Sequence, residues 1–160
     1  MRRTALFSEC RTWRYALNRV WGDAGNLVQF IGLNPSTADE EADDPTVRRC
    51  IGYAQAWGYD GMVMTNLFAY RSTDPVQMIL QGPRRAIGPD NDQWLLAIAG
   101  DCHLTVAAWG NQGRTFDRDK AVRKAFKGVQ RLHVLKLTGD GHPGHPLYLS
   151  KTLEPFVWQA

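Results

Sequence analysis

The stretch Leu27-Val28-Gln29-Phe30-Ile31-Gly32-Leu33 is an apolar run that only Gln29 interrupts. A short continuous apolar run is typical of a strand that is buried on both faces of a sheet. Three further runs have the same character, at residues 62–67, 104–109 and 132–137. The sequence therefore predicts four buried strands.

Segments with helical signals separate the four strands. Asp44-Pro45 supplies an acidic N-cap followed by proline at the first helical position, and Gly58 ends the segment. Further helices are predicted at residues 75–80, 90–99 and 117–128. Because helices alternate with strands, we predict an α/β fold with three α/β/α layers around a central, mainly parallel four-stranded sheet.

The length of 160 residues suits a single α/β domain that spans residues 1–160. Trp13, Leu17 and Val20 follow one another at spacings of four and three residues, which is typical of an amphipathic helix. We therefore expect residues 1–25 to form an N-terminal helical segment that packs on the sheet.

The composition excludes several classes of protein. No apolar stretch reaches the roughly 18 residues of a membrane span, and polar residues interrupt the start of the chain where a signal peptide needs an apolar core. The three cysteines show no C-x-x-C spacing, which argues against a disulfide framework and a structural zinc site. We expect a cytoplasmic monomer without a cofactor or a metal. The net charge of +3 is by itself weak support for a nucleic-acid partner.

Polar and aromatic residues follow each predicted strand, at the edge where open α/β folds build their sites. These segments are Asn34-Pro35-Ser36-Thr37, residues 66–71, residues 109–114, and the loop that holds His142 and His145. Amides, hydroxyls, aromatic rings and an imidazole suit recognition of a planar heterocycle. Each segment also has a structural explanation, because Asn34-Pro35-Ser36-Thr37 fits a turn and Trp109 fits a core.

Together, the motifs resemble those of the uncharacterised DUF1643 family across nearly the whole chain. The stretches that carry the resemblance are Tyr15-Ala16-Leu17-Asn18-Arg19, Gly32-Leu33-Asn34-Pro35-Ser36-Thr37-Ala38, Asp44-Pro45-Thr46-Val47-Arg48-Arg49-Cys50, Asn66-Leu67-Phe68-Ala69-Tyr70-Arg71, Ala108-Trp109-Gly110 and His145-Pro146-Leu147-Tyr148-Leu149. The family name does not indicate a biochemical activity.

The order of these motifs also resembles that of the uracil-DNA glycosylase superfamily. The resemblance implies a DNA glycosylase-like hydrolase of a modified or mismatched pyrimidine, with DNA or a nucleotide as partner. It implies catalytic roles for Asn34, which would position water, and His145, which would stabilise the leaving base. The implied base-binding residues are Asn66, Phe68, Tyr70 and Trp109, and the implied contacts to phosphate or nucleic acid are Ser36, Thr37, Arg71, Arg114, Leu147 and Tyr148.

Asn34 is the main departure from that superfamily, whose more active members carry an aspartate at this position. A neutral amide orients water but does not accept its proton. Two alternatives therefore stay open: a module that binds a nucleobase, nucleotide or nucleic acid without turnover, and a hydrolase of free nucleosides or nucleotides.

Overall fold

One mixed sheet forms the centre of the structure, a computed structural model that describes residues 1–159. Within these residues the sheet has seven strands in the order β1-β2-β4-β3-β5-β6-β7. The strands are β1 (Arg2–Phe7), β2 (Arg14–Val20), β3 (Leu27–Gly32), β4 (Gly61–Asn66), β5 (Leu104–Ala107), β6 (Leu132–Val134) and β7 (Phe156–Val157). The α/β class is confirmed, and the four predicted strands are the adjacent, mutually parallel β4, β3, β5 and β6. The sheet is larger than predicted because β1, β2 and β7 extend it in antiparallel orientation.

The prediction of a helix over residues 1–25 is wrong. This segment contains the antiparallel pair β1 and β2, and β2 pairs in turn with β4. Side chains on both faces of β2 are buried, so the strand lacks the alternation of polar and apolar residues that marks a strand with one exposed face. Two of its buried side chains are arginines, Arg14 and Arg19, which in a sequence are typical of a solvated helix face.

Helices cover both faces of the sheet. The helices are α1 (Pro45–Ala56), α2 (Pro75–Leu80), α3 (Pro83–Ile87), α4 (Asn91–Asp101) and α5 (Arg118–Phe126). Apolar residues of α1 pack with Phe30 and Met62 on one face, whereas residues of α4 and α5 pack with Ile31 on the other. Four helices agree with the prediction, and α3 was not predicted. Within residues 1–159, none of the helices has the length and apolar character that crossing a membrane requires.

Gln29 interrupts the apolar run of β3 because it ties three strands together. Its Nε2 donates to Thr65 Oγ1 at 3.3 Å and to the Leu95 carbonyl at 3.2 Å, and its Oε1 accepts from Thr105 Oγ1 at 2.9 Å. All three polar side chains are completely buried. A polar network in the core is stable only when its members are hydrogen-bonded, and this network meets that requirement.

Arg19 of β2 holds the loop between β3 and α1 on the sheet. Its guanidinium is fully buried and pairs with Asp43, with 2.8 Å between Nε and Oδ1. Its Nη2 donates to the carbonyl of Asp39 at 2.5 Å and to that of Ala42 at 3.3 Å. The loop leads directly into Asp44, whose carboxylate accepts from the Val47 N–H at 2.9 Å and caps α1. Arg19 therefore sets where α1 begins.

We predict that Arg19→Met lowers the free energy of unfolding by about 3 kcal/mol, because it leaves Asp43 and two loop carbonyls without their partner. Urea denaturation followed by circular dichroism measures the change. The matched control is Arg11→Met, which removes the exposed ion pair that Arg11 forms with Glu40 of the same loop. This substitution should have little effect on the free energy of unfolding. Equal effects of the two substitutions would contradict the role assigned to Arg19.

Candidate functional site

A cavity of about 420 Å³ opens at the carboxyl ends of the parallel strands. Its walls come from the loops after β3 and β5, the end of β4, the start of α1 and a short 3₁₀ turn at Pro146–Tyr148. This is the edge at which open α/β sheets place their ligands. The structure brings seven of the residues that the sequence singles out to this cavity: Asn34, Ser36, Asn66, Trp109, His145, Leu147 and Tyr148.

The register of β3 and β4 places Asn66 in the cavity wall. Gly32 and Asn66 are the paired last residues of these two parallel strands. A Cβ at Gly32 would lie 2.7 Å from Asn66 Oδ1, which is closer than side chains approach one another. The glycine therefore leaves the room that the amide of Asn66 occupies.

Asn66 presents an unused hydrogen-bond donor. The residue is only 2% exposed, and its Nδ2 has no hydrogen-bond partner among the described residues. A buried donor without a partner costs about 1–3 kcal/mol, so such groups are rare in folded proteins. An acceptor atom on a ligand would satisfy the Asn66 amide.

Asn34 is fixed by two backbone carbonyls. Its Nδ2 donates to the carbonyl of Ser72 at 2.9 Å and to that of Pro35 at 3.2 Å. Both partners are acceptors, which determines that the amide nitrogen faces them and leaves Oδ1 to accept from a ligand or water. Asn34 thus ties the loop after β3 to the loop after β4 and keeps one acceptor for the site.

His145 lies across the cavity as a neutral hydrogen-bond donor. Its Nδ1 accepts from the Leu147 N–H at 3.3 Å, so the ring proton of the neutral imidazole is on Nε2. Burial lowers the pKa of His145 below its usual value, and the charge of Asp44 offsets part of that effect. The ring of Tyr148 lies against the imidazole, with 5.5 Å between the ring centroids.

Three side chains, two of α1 and one of the residue that caps its C-terminal end, hold the segment that follows His145. Arg49 Nη1 donates to the Leu149 carbonyl at 2.6 Å, Tyr53 Oη to the Ser150 carbonyl at 2.6 Å, and Trp57 Nε1 to the Leu153 carbonyl at 3.1 Å. Residues four positions apart share one face of a helix. The helix that Arg19 positions therefore also positions the loop of His145.

Of the three predicted base-binding rings, Phe68 and Tyr70 lie outside the cavity lining, and Trp109 belongs to it. Phe68 is completely buried and packs edge-on against Phe116. The Trp109 ring is 1% exposed and packs in the core, so Trp109 lines the cavity without offering an open aromatic face. Tyr70 lies elsewhere, beside the guanidinium of Arg85. Of the aromatic residues at the cavity, Tyr148 is the exposed one, with 84% of its surface accessible.

Three of the residues expected to contact phosphate also lie outside the cavity lining. They are Thr37, Arg71 and Arg114. Arg71 stacks on the ring of Phe7, with 4.7 Å between its guanidinium carbon and the ring centroid. Ser36 and Leu147, in contrast, line the cavity, and both are half-buried.

Two charged residues of the cavity were not predicted as site residues. Asp44 was interpreted only as the start of a helix, and it does cap α1, but it also lines the cavity. Arg14 lines the cavity from the start of β2, at 2% exposure. The Asp44-Pro45 pair indicates only the start of a helix. Nothing local in the sequence distinguishes Arg14 from a surface arginine.

We predict that His145 titrates below the 6.5 of an ordinary histidine. An NMR titration of its ring proton, assigned by comparison with the His145→Gln variant, measures this pKa. The unfolded chain then binds more protons than the folded chain between the two pKa values, so the free energy of unfolding falls as the pH decreases through that interval. The fall should be smaller in His145→Gln. A pKa at or above 6.5 would contradict the burial that the structure assigns to this ring.

A family model described as "Protein of unknown function (DUF1643)" matches residues 14–147. No curated protein and no solved structure matches the chain.

Proposed function

The chain belongs to the DUF1643 family, whose description assigns no activity, and from the groups in its cavity we propose that it hydrolyses the N-glycosidic bond of a pyrimidine nucleotide unit. One observation carries the proposal. Asn34, Asn66 and His145, which come from three distant segments, line a single cavity of about 420 Å³. Small-molecule sites have volumes of about 300–1,000 Å³, so a nucleobase with its sugar is a suitable occupant.

The donors of the cavity match the carbonyl oxygens of a pyrimidine. The unpartnered Nδ2 of Asn66 would donate to one edge atom of the base, and Nε2–H of His145 would donate to a carbonyl oxygen. The exposed ring of Tyr148, next to His145, would stack on the base or, on a DNA strand, would fill the gap left by a flipped nucleotide together with Leu147.

Bond cleavage requires a stabilised leaving base and an activated water. The C1′–N bond breaks, its electron pair goes to the base, and a hydrogen bond from neutral His145 stabilises the negative charge that develops there. Oδ1 of Asn34 would accept a hydrogen bond from the attacking water, whose oxygen bonds to C1′. Asn34 is not a base, so the proton of that water needs another acceptor.

Asp44 is the residue in the cavity that is suited to accept that proton. It supplies a carboxylate to the same cavity as Asn34 and His145. Its field reaches the imidazole, because it is the charged group that raises the pKa of His145 against the effect of burial. The carboxylate would also stabilise positive charge that develops on the sugar.

The direct test uses oligonucleotides and free nucleotides that contain uracil, thymine or a 5-substituted pyrimidine. Release of free base, measured by chromatography, and alkali-labile sites in the oligonucleotides would support the proposal. Absence of product from all of these substrates would refute it.

We predict that Asp44→Asn lowers the turnover number about 10²–10⁴-fold and leaves substrate binding nearly unchanged, because asparagine caps a helix as well as aspartate but does not accept the proton. Steady-state kinetics separate the two effects. Asp74→Asn is the matched control, since Asp74 also caps a helix that begins with proline and is exposed outside the cavity. Equal turnover of the two variants would exclude Asp44 as the base.

A second candidate is a binding protein without turnover. The observation that favours it is Asn34, whose amide nitrogen is held by two carbonyls and whose oxygen has no basic character. Such a protein would bind nucleotide with an affinity that Asn66→Ala removes, and it would release no base.

A further inference from the structure

Arg14 is the unusual member of a set of three buried arginines. Arg19 and Arg118 each form an ion pair, with Asp43 and Asp92 respectively. The ion pairs of the described residues include none with Arg14, although this side chain is only 2% exposed. Its Nη1 donates to the Ala38 carbonyl at 3.0 Å, and its Nε is buried without a partner.

A buried guanidinium without an ion pair is costly unless a ligand completes it. Burial lowers the pKa of Arg14 to about 10, so the side chain keeps its charge at neutral pH. Arg14 is also the one of the three buried arginines that lines the cavity. An anionic group on the ligand would supply the missing partner, and a guanidinium is well suited to phosphate.

We propose that Arg14 binds the phosphate of a free pyrimidine nucleoside monophosphate, with the base at Asn66 and His145. The identity of the base rests on the function proposed above, whereas the phosphate subsite rests on Arg14 alone. The inference therefore selects a mononucleotide over a nucleic-acid strand as the substrate.

The distribution of charge around the cavity agrees with a small substrate. Arg71 and Arg114, which the sequence suggests as contacts to the phosphates of a strand, do not line the cavity. A basic groove lies elsewhere and shares no residue with the cavity; its cations are Lys120, Arg123, Lys124, Lys127 and Arg131. Arg14 is thus the cation that lines the cavity, and one guanidinium is enough to bind one phosphate.

Asp44 opposes this interaction and gives the proposal a second test. Its carboxylate lines the same cavity, and its charge acts on Arg14. A bare phosphate should therefore bind weakly to the native protein. Removing the charge of Asp44 should strengthen phosphate binding, and removing the charge of Arg14 should abolish it.

Isothermal titration calorimetry with inorganic phosphate, thymidine, thymidine 5′-monophosphate and a short single-stranded oligothymidine tests the proposal. We expect the monophosphate to bind at least about tenfold more tightly than the nucleoside, because a hydrogen-bonded charge pair contributes that factor or more. Arg14→Gln should remove this difference and leave the affinity for thymidine unchanged, and Arg14→Lys should retain part of it. Arg48→Gln, an exposed arginine of α1 outside the cavity lining, should behave as the native protein does.

The possible results test the phosphate subsite and the proposed function separately. Equal affinities for thymidine and its monophosphate would overturn the phosphate subsite and leave the base site standing. Binding of phosphate that depends on Arg14, without binding of thymidine, would support the subsite and remove the pyrimidine assignment. Tighter binding of the oligothymidine than of the monophosphate would overturn the choice of a free mononucleotide. Phosphate binding that Asp44→Asn fails to strengthen, with Asp74→Asn as control, would also contradict the shared cavity.

Discussion

The ion pair between the buried Arg19 and the partly buried Asp43 is the interaction on which the candidate site depends. It anchors the loop after β3 to β2, and that loop determines where Asp44 lies and where α1 begins. The helix then holds the loop of His145 through Arg49 and two aromatic side chains. Burying a charge is unfavourable without a partner, and here the ion pair and several carbonyl acceptors compensate it. One satisfied guanidinium thus aligns two walls of the cavity.

Some buried polar groups of the core are fully paired, whereas six buried side-chain nitrogen and oxygen atoms of the described residues lack a hydrogen-bond partner. Three of the six belong to residues that line the cavity, namely Arg14, Asn66 and Trp109. Gln29 links two threonines, and Arg118 binds both a carbonyl and Asp92. At the cavity, in contrast, Asn66 Nδ2 and Arg14 Nε are buried without partners. The polar groups around Gln29 are hydrogen-bonded, whereas donors at the carboxyl edge of the sheet have no partner. Unpartnered donors at such an edge are typical of a ligand site.

The sequence predicts the parallel strands well because their apolar runs are long and continuous. It also predicts that Asn34, Asn66 and His145 lie near one another, because the strand ends of one parallel sheet meet at one edge. It fails for β2, whose burial on both faces and two arginines remove the alternation that marks a strand. Phe68 shows a different limit: an aromatic residue after a strand fits a core or a ligand site equally well until its neighbours are known. Arg14 is the hardest case, since its proposed role rests on the absence of an ion pair, which no sequence pattern records.

Arg14 and Asp44 place opposite charges in one cavity, and hydrolysis of a nucleotide provides a use for both. In the proposed reaction the substrate carries a fixed negative charge on its phosphate and develops a positive charge on its sugar as the base departs. A guanidinium stabilises the negative charge of the phosphate, and a carboxylate stabilises the positive charge on the sugar. His145 completes the arrangement because burial keeps it a neutral donor, despite the opposing effect of Asp44, and a neutral donor stabilises the departing base without competing with Arg14 for the phosphate. The three groups thus act on different parts of one substrate.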